Sequence, residues 1–258
     1  ARWFVIVNPV AGSGKGLTDW PIISKLLRDN GVRFDAVFTE RKYHATELTV
    51  EAVNHDYRHI IAVGGDGTLH ECVNALFIQK QVPPTEVTLA VIAVGTGNDW
   101  VRMFGIPRQY TDAIRAIVSG KTFLQDVGRV SYFESKFPQV RYMANMAGVG
   151  FDAIVNRAYN RLKERGTRGK WIYVFSAVLA IFQYRSKKMR VWIDDRLALE
   201  DTIFSAAVGI GKYNGGGMQQ TPNAIADDGL FDMTTIRKLS YFNVIRFFGS
   251  LYNGTIYN

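Results

Sequence analysis

Three glycine-rich stretches place a carboxylate or an amine where a phosphate chain could be held. They are Asn8-Pro9-Val10-Ala11-Gly12-Ser13-Gly14-Lys15-Gly16, Gly64-Gly65-Asp66-Gly67-Thr68-Leu69-His70-Glu71 and Gly95-Thr96-Gly97-Asn98-Asp99. Small residues let backbone N–H groups approach phosphate oxygens at the start of a helix. In the second stretch glycines flank Asp66 just where a helix begins, which suits magnesium nucleotide. The N–H donors and the positive helix end would hold phosphate, and Asp66 would reach the metal directly or through its water. Glu71, one turn further on, could accept from the nucleotide's sugar or orient the loop. Taken alone, the second stretch is equally a tight strand-to-helix turn with Asp66 as a cap, and a single glycine turn is usually a matter of geometry. Taken together at one edge of a sheet, they would form a shared phosphate crevice faced by Asp66 and Asp99. Asp126, in Leu124-Gln125-Asp126-Val127-Gly128, could complete an acidic cluster.

The first stretch is not a Walker A loop. That loop needs Gly five residues before its Gly-Lys pair and Ser or Thr after the Lys, and here those positions are Pro9 and Gly16. Nor is it a full G-x-G-x-x-G, because position 17 is Leu.

The elements that must position these loops read as alternating strands and helices. Apolar, β-branched runs at Trp3–Val7, Arg33–Thr39, His59–Val63 and Thr88–Val94 predict buried strands. Helical periods fall at Asp19–Asn30, His44–Asn54 and Thr68–Phe77. Such alternation implies a parallel sheet covered on both sides, with ligands at the carboxyl ends of its strands. After Ser119-Gly120 the texture becomes strand-rich: 122–130, 141–149, 189–193, 202–211 and 230–236, with helices expected at Phe151–Leu162 and Tyr241–Tyr252. The expected organisation is an α/β nucleotide-binding domain over residues 1–120 and a β-rich domain over 121–258.

Asn8-Pro9-x-x-Gly12, Gly64-Gly65-Asp66-Gly67-Thr68 and Gly95-Thr96-x-Asn98-Asp99 together resemble the diacylglycerol kinase catalytic domain. The second motif alone is shared with NAD kinases, and phosphofructokinases resemble both more distantly. The third loop, Asp126-Val127-Gly128 and Pro222-x-Ala224-x-x-x-Asp228-Gly229 favour the lipid kinase branch, which includes sphingosine and ceramide kinases. The resemblance spans essentially the whole chain. It implies an NAD kinase-like α/β domain, a sandwich-like C-terminal domain, and a cleft between them where ATP and a lipid head group meet.

By the same resemblance Asn8, Pro9, Val10, Ala11, Gly12, Thr39, Gly65, Asp66, Gly67, Thr68, Leu69, His70, Glu71 and Thr96 contact ATP. Asp66, Asp99 and Asp126 form a magnesium and water network with Lys15 nearby, and Asp228 belongs to a segment supporting a structural magnesium ion. The implied reaction is transfer of the ATP γ-phosphoryl group to a lipid hydroxyl such as that of diacylglycerol. Its general base is expected in an Asp-Gly-Glu motif beyond the Tyr241–Tyr252 helix. The sequence stops at Asn258 without that motif and is read as a truncated piece. Rival readings are an NAD kinase-like small-molecule kinase and a non-catalytic nucleotide-binding regulator.

Composition fits these readings without choosing among them. The chain has 258 residues, 47% of them hydrophobic, which is enough for a sizeable core. Its net charge of +8 favours polyanionic partners: nucleotides or an anionic membrane, and not nucleic acid, for which no stacking or groove-reading motif is present. Basic residues cluster at Arg157, Arg161, Lys163, Arg165, Arg168 and Lys170, and at Arg185, Lys187, Lys188 and Arg190. They would serve peripheral contact with the inner membrane face or form a solvated surface. A single cysteine, Cys72, and a start without a basic-then-apolar signal point to the cytoplasm. The apolar run Trp171–Phe182 is short of the ~20 residues a membrane span needs and is expected in the core. The four histidines lack zinc-site spacing, no G-x-S-x-G elbow occurs, and Gly215-Gly216-Gly217 is expected to mark a turn between strands that could also serve beside the metal segment.

Overall fold

The computed structural model describes residues 1–151, 153–155, 157, 184–238, 249–250 and 252–254. Its internal contacts divide the chain into two compact units. The first holds Ala1–Asn145 with the later segments Gly215–Gly217 and Ala226–Gly229, and the second holds Met146–Asn214, Met218–Ile225 and Leu230–Asn258.

In the first unit four parallel strands, β1 (Arg2–Val7), β2 (Arg33–Phe38), β3 (His59–Gly64) and β4 (Thr88–Ala93), stand in the order β2-β1-β3-β4. Its helices are α1 (Ala11–Thr18), α2 (Trp20–Asp29), α3 (His44–Asn54), α4 (Asp66–Ile78), α5 (Asp99–Met103) and α6 (Tyr110–Val118). Strands buried on both faces need apolar side chains at every position, not at alternate ones. Val5, Val7, Ile61, Val63 and Ile92 accordingly pack with Ile23 and Leu27 of α2 and Ile114 of α6. Ile6, Ile60 and Ala62 pack on the other face with Leu48 of α3 and Cys72 and Leu76 of α4. Full burial of each large aliphatic side chain contributes about 1.5–3 kcal/mol, so the strand ends that carry the loops are held by a stiff core. Cys72 is fully buried, and its thiol pKa is pushed up to about 12 by that burial, so it is an inert core residue.

All four strands start and end within a residue of expectation, and α3 spans the expected range. Two helices differ. Helix α4 begins at Asp66, two residues before Thr68. Helix α1 was not expected, and it is helical only in part: Gly12, Ser13 and Gly14 have φ of 58, 62 and 100°. Glycine pays no Cβ penalty in that left-handed region, so the segment behaves as a loop lying across a helix start.

Residues 121–127 form no strand. The expected strand over 122–130 begins only at Gly128, where β5 (Gly128–Glu134) pairs antiparallel with β6 (Phe137–Met143). This hairpin is fastened to α4: Asn74 Nδ2 donates to Tyr142 O at 2.8 Å, Asn74 Oδ1 accepts the Tyr142 N–H at 2.9 Å, and Phe77 stacks on Tyr142. The compact unit therefore extends to Asn145, whereas the change in sequence texture falls near residue 121.

The second unit is antiparallel and β-rich. Strands β7 (Met146–Gly150), β8 (Lys187–Ile193) and β9 (Arg196–Gly209) are followed by the short β10 (Tyr213–Asn214) and β11 (Met218–Gln219) and by β12 (Asp232–Arg237). The 14-residue β9 is the hub, pairing with β7, β8 and β12. Residues 151 and 153–155 are helical, and Phe151 and Val155 pack against Phe204. The rest of the expected Phe151–Leu162 helix, the run Trp171–Phe182, most of Tyr241–Tyr252 and the basic residues from Arg161 to Lys170 lie outside the described residues. Among the described residues no helix is long and apolar enough to cross a membrane.

Candidate functional site

The order β2-β1-β3-β4 sends the chain to opposite sides of β1, so a crevice opens between the carboxyl ends of β1 and β3. Asn8 bridges it. Its N–H donates to Val63 O at 2.9 Å, its Nδ2 donates to Thr68 Oγ1 at 3.0 Å, and its Oδ1 accepts the Val10 N–H at 3.2 Å. The glycine turns press on one another. A Cβ on Gly12 would stand 1.8 Å from Val94 O, and one on Gly95 would stand 2.6 Å from Gly65 Cα, so only glycine permits these approaches.

Asp66 and Asp99 meet at the third loop. A Cβ on Gly97 would lie 3.0 Å from Asp66 Oδ2 and 3.5 Å from Asp99 Oδ2, so both oxygens border the same gap. Asp66 Oδ1 accepts the Trp100 N–H at 3.0 Å, which fixes its rotamer and caps α5. Asp99 is 4% exposed. Its Oδ2 accepts the Gly216 N–H at 2.8 Å, while its Oδ1 has no hydrogen-bond partner and stands 3.6 Å from Arg102 Nε. Burial pushes the Asp99 carboxyl above the usual carboxylate range, and the neighbouring Asp66 charge adds to the rise. Asn98, at φ 53°, donates to Gly95 O at 2.7 Å, and its buried Oδ1 is also without a partner. The paired Asp66 and Asp99 carboxylates are oxygen donors of the kind a magnesium ion takes, and the buried Asn98 Oδ1, without a hydrogen bond, lies on the same loop. At the start of α4 the Asp66 and Gly67 N–H groups precede the first intrahelical acceptor, whereas those of Thr68 and Leu69 already bond Gly65 O.

Other expected site residues take different positions. Glu71 binds the α3 entry, a segment other than its own glycine loop: Oε1 accepts the Tyr43 N–H at 3.0 Å and Oε2 the Ala45 N–H at 3.1 Å. Leu69 is 4% exposed and packs with Val73, Val91 and Trp100, which makes it a core residue. Thr68 and Ala11 are buried, Pro9 and Thr39 are half-buried, and Val10, Lys15, Gly67, His70 and Thr96 are exposed. The Thr39 N–H donates to Val7 O, extending the β1–β2 ladder.

Asp126 does not add a third carboxylate at ligand distance: among the described residues no group of three or more His, Cys, Asp or Glu side chains is placed to hold a metal ion. Instead Asp126 Oδ2 accepts the Gly229 N–H at 2.7 Å and its own N–H donates to Ala226 O at 2.8 Å, so it holds the turn that carries the exposed Asp228. Its neighbour Gln125 accepts from Trp100 Nε1 at 2.7 Å.

Of three further contributors, Arg102 and Arg108 were not singled out in sequence, whereas Gly216 lies in the glycine triplet already noted. Gly216 donates to Asp99, Arg102 lies beside Asp99, and Arg108 Nη2 donates to Gly97 O at 3.1 Å. The Asp99–Arg102 spacing of three on a helix was a readable signal. The Gly216 contact, 117 residues away in sequence, was not. A cavity of about 590 Å³ lined by Arg2, Arg28, Gly31, Val32, Arg33 and Phe34 opens at the amino ends of β1 and β2, away from these loops.

A family profile described as "Diacylglycerol kinase catalytic domain" matches residues 2–130, and one described as "YegS C-terminal NAD kinase beta sandwich-like domain" matches 145–258. The chain belongs to the diacylglycerol kinase catalytic-domain family. Its relatives include a Mycobacterium tuberculosis protein named "Diacylglycerol kinase", 27% identical over 96% of this chain and 77% of that protein. Another is a Stenotrophomonas maltophilia protein named "Probable lipid kinase YegS-like", 28% identical over 92% of this chain and 74% of its own length. A solved structure titled as a diacylglycerol kinase of Bacillus anthracis covers 96% of this chain and 77% of that one, at 25% identity and a TM-score of 0.66. The family is one of lipid kinases, and both its α/β half and its sandwich-like half are present here.

Proposed function

We propose that this chain is an ATP-dependent lipid kinase that transfers the γ-phosphoryl group to a lipid hydroxyl such as that of diacylglycerol. The observation that carries the reading is the meeting of Asp66 and Asp99 at Gly97, among glycine turns from the ends of β1, β3 and β4. Phosphoryl transfer asks mainly for positioning and charge neutralisation. The free N–H groups of Asp66 and Gly67 and the left-handed Gly12–Gly14 backbone supply phosphate donors. Arg102 beside Asp99 and Arg108 on Gly97 O supply positive charge at the third loop, and Lys15, next to the Gly12–Gly14 backbone, is assigned to the phosphates. A magnesium ion held by Asp66 and Asp99 would neutralise the triphosphate there. Asp126 positions the 226–229 turn, and Asp228 on that turn is assigned the second, structural ion. The lipid-binding part is assigned to the β-rich second unit. Full-length protein with labelled ATP, offered a panel of lipids and NAD, tests the reading. Label in a lipid supports it; label in NAD with none in any lipid overturns it.

A further inference from the structure

The β5–β6 hairpin ends in two aromatic side chains that stand largely in solvent. Phe133 is 78% exposed and Phe137 70% exposed. The turn between them is Ser135-Lys136, closed by the Glu134–Phe137 pair, with both turn residues at positive φ as a two-residue hairpin requires. Phe133 stands opposite Pro138, and Phe137 stands opposite Glu134. Successive side chains of a strand alternate faces, so the two phenyl rings project from opposite faces of the ribbon tip. A flat protein partner would cover one face and leave the other ring in water. A medium that surrounds the tip buries both.

Charge selects the same medium. Residues 128–143 carry Arg129, Lys136 and Arg141 against the single acid Glu134. Lys136 sits in the turn itself, where it would reach anionic head groups as the rings pass below them. The β8–β9 tip of the second unit offers a contrast: Trp192 and Leu197 are also exposed there, at 56% and 53%, but its turn is Asp194-Asp195, which an anionic surface repels.

We propose that the β5–β6 tip is a wedge that inserts Phe133 and Phe137 into the interface of an anionic lipid bilayer and so presents the catalytic unit to its substrate. The inference rests on the lipid kinase reading for its purpose, though not for its measurement. Co-sedimentation with phosphatidylglycerol vesicles compares the wild type with the double variant Phe133→Ala/Phe137→Ala and with Trp192→Ala. The double variant is expected to lose at least about tenfold in partition, equivalent to about 1.4 kcal/mol, and Trp192→Ala to stay within about twofold. Phe133→Trp should add an emission that shifts to the blue on vesicles and is quenched by brominated acyl chains. Phosphorylation of vesicle-borne diacylglycerol should fall in step with partition, with a monomeric short-chain diacylglycerol phosphorylated at the wild-type rate. An unchanged partition for the double variant, an unshifted emission from the Phe133→Trp variant, or an equal loss on Trp192→Ala would overturn the wedge. Phe-dependent binding without phosphorylation of any lipid would keep the wedge and sink the kinase reading.

Discussion

Asp99→Asn should stabilise the metal-free protein near neutral pH, because the wild type keeps a carboxylate where the interior is not built to receive one. Asp99 is 4% exposed, and one of its oxygens makes no hydrogen bond. An unsatisfied buried acceptor costs about 1–3 kcal/mol, and more when charged. Against that stands the ion pair with the partly exposed Arg102, worth about 0–1 kcal/mol. The amide retains an acceptor for the Gly216 N–H, so the net gain is about 1–2 kcal/mol, or roughly 2–8 °C in melting temperature for a chain of this size. The sign of the pH dependence follows from the raised carboxyl pKa. Between the unfolded and folded values the native state binds more protons, so wild-type stability falls as pH rises through that window. The advantage of the variant should therefore be full above the raised folded value and should shrink as pH falls through it. Differential scanning calorimetry in EDTA across this range reads it. Added Mg2+ should then raise the wild type more than the variant, reversing the order of the two. A variant less stable than the wild type at pH 7 in EDTA, or a difference that does not change with pH, would refute the reasoning.

Asp66→Asn keeps an oxygen for the Trp100 N–H but removes the charge, so melting should change by less than about 1 kcal/mol while kcat/KM for lipid phosphorylation falls by roughly 100-fold or more; near-normal turnover would release Asp66 from its role. Gly12→Ala should cost more than about 2 kcal/mol, because its Cβ meets Val94 O at 1.8 Å, whereas Gly14→Ala, with open space around it, should cost only about 1–2 kcal/mol of left-handed strain. Denaturant titration compares the two glycines, and equal losses would contradict the packing described. Glu71→Ala strips the acceptors from Tyr43 and Ala45 and should cost about 1–2 kcal/mol, with faster amide exchange at the start of α3.

The inner strands of the first unit were legible because burial on both faces demands uninterrupted apolar runs, such as Phe4 to Val7 and Ile60 to Val63, whereas the edge strand β2, expected to be buried, is only half-buried and carries Asp35. The β5–β6 hairpin was less so. Phe123 and Leu124 look like strand residues but are exposed ahead of the strand, at 52% and 71%. In β6, Pro138 and Arg141 interrupt any alternation. The carboxylate pair of the site was readable because each Asp sits beside the glycines that let its loop close. What completes it was readable only in part: the glycine triplet could be placed beside the metal segment, but a backbone N–H from Gly216 carries no signature of Asp99 as its partner. Glu71 shows the same limit, since its place on α4 says nothing about which loop packs over that helix turn.

The central claim is that turns from β1, β3 and β4 form one triphosphate site organised by Asp66 and Asp99. Calorimetric titration of the full-length protein with ATP, with and without magnesium, tests it most directly. The account predicts a single saturable site per chain that depends on magnesium and is weakened at least about tenfold in Asp66→Asn. No saturable heat with Mg·ATP, or equal binding by the variant, would contradict it.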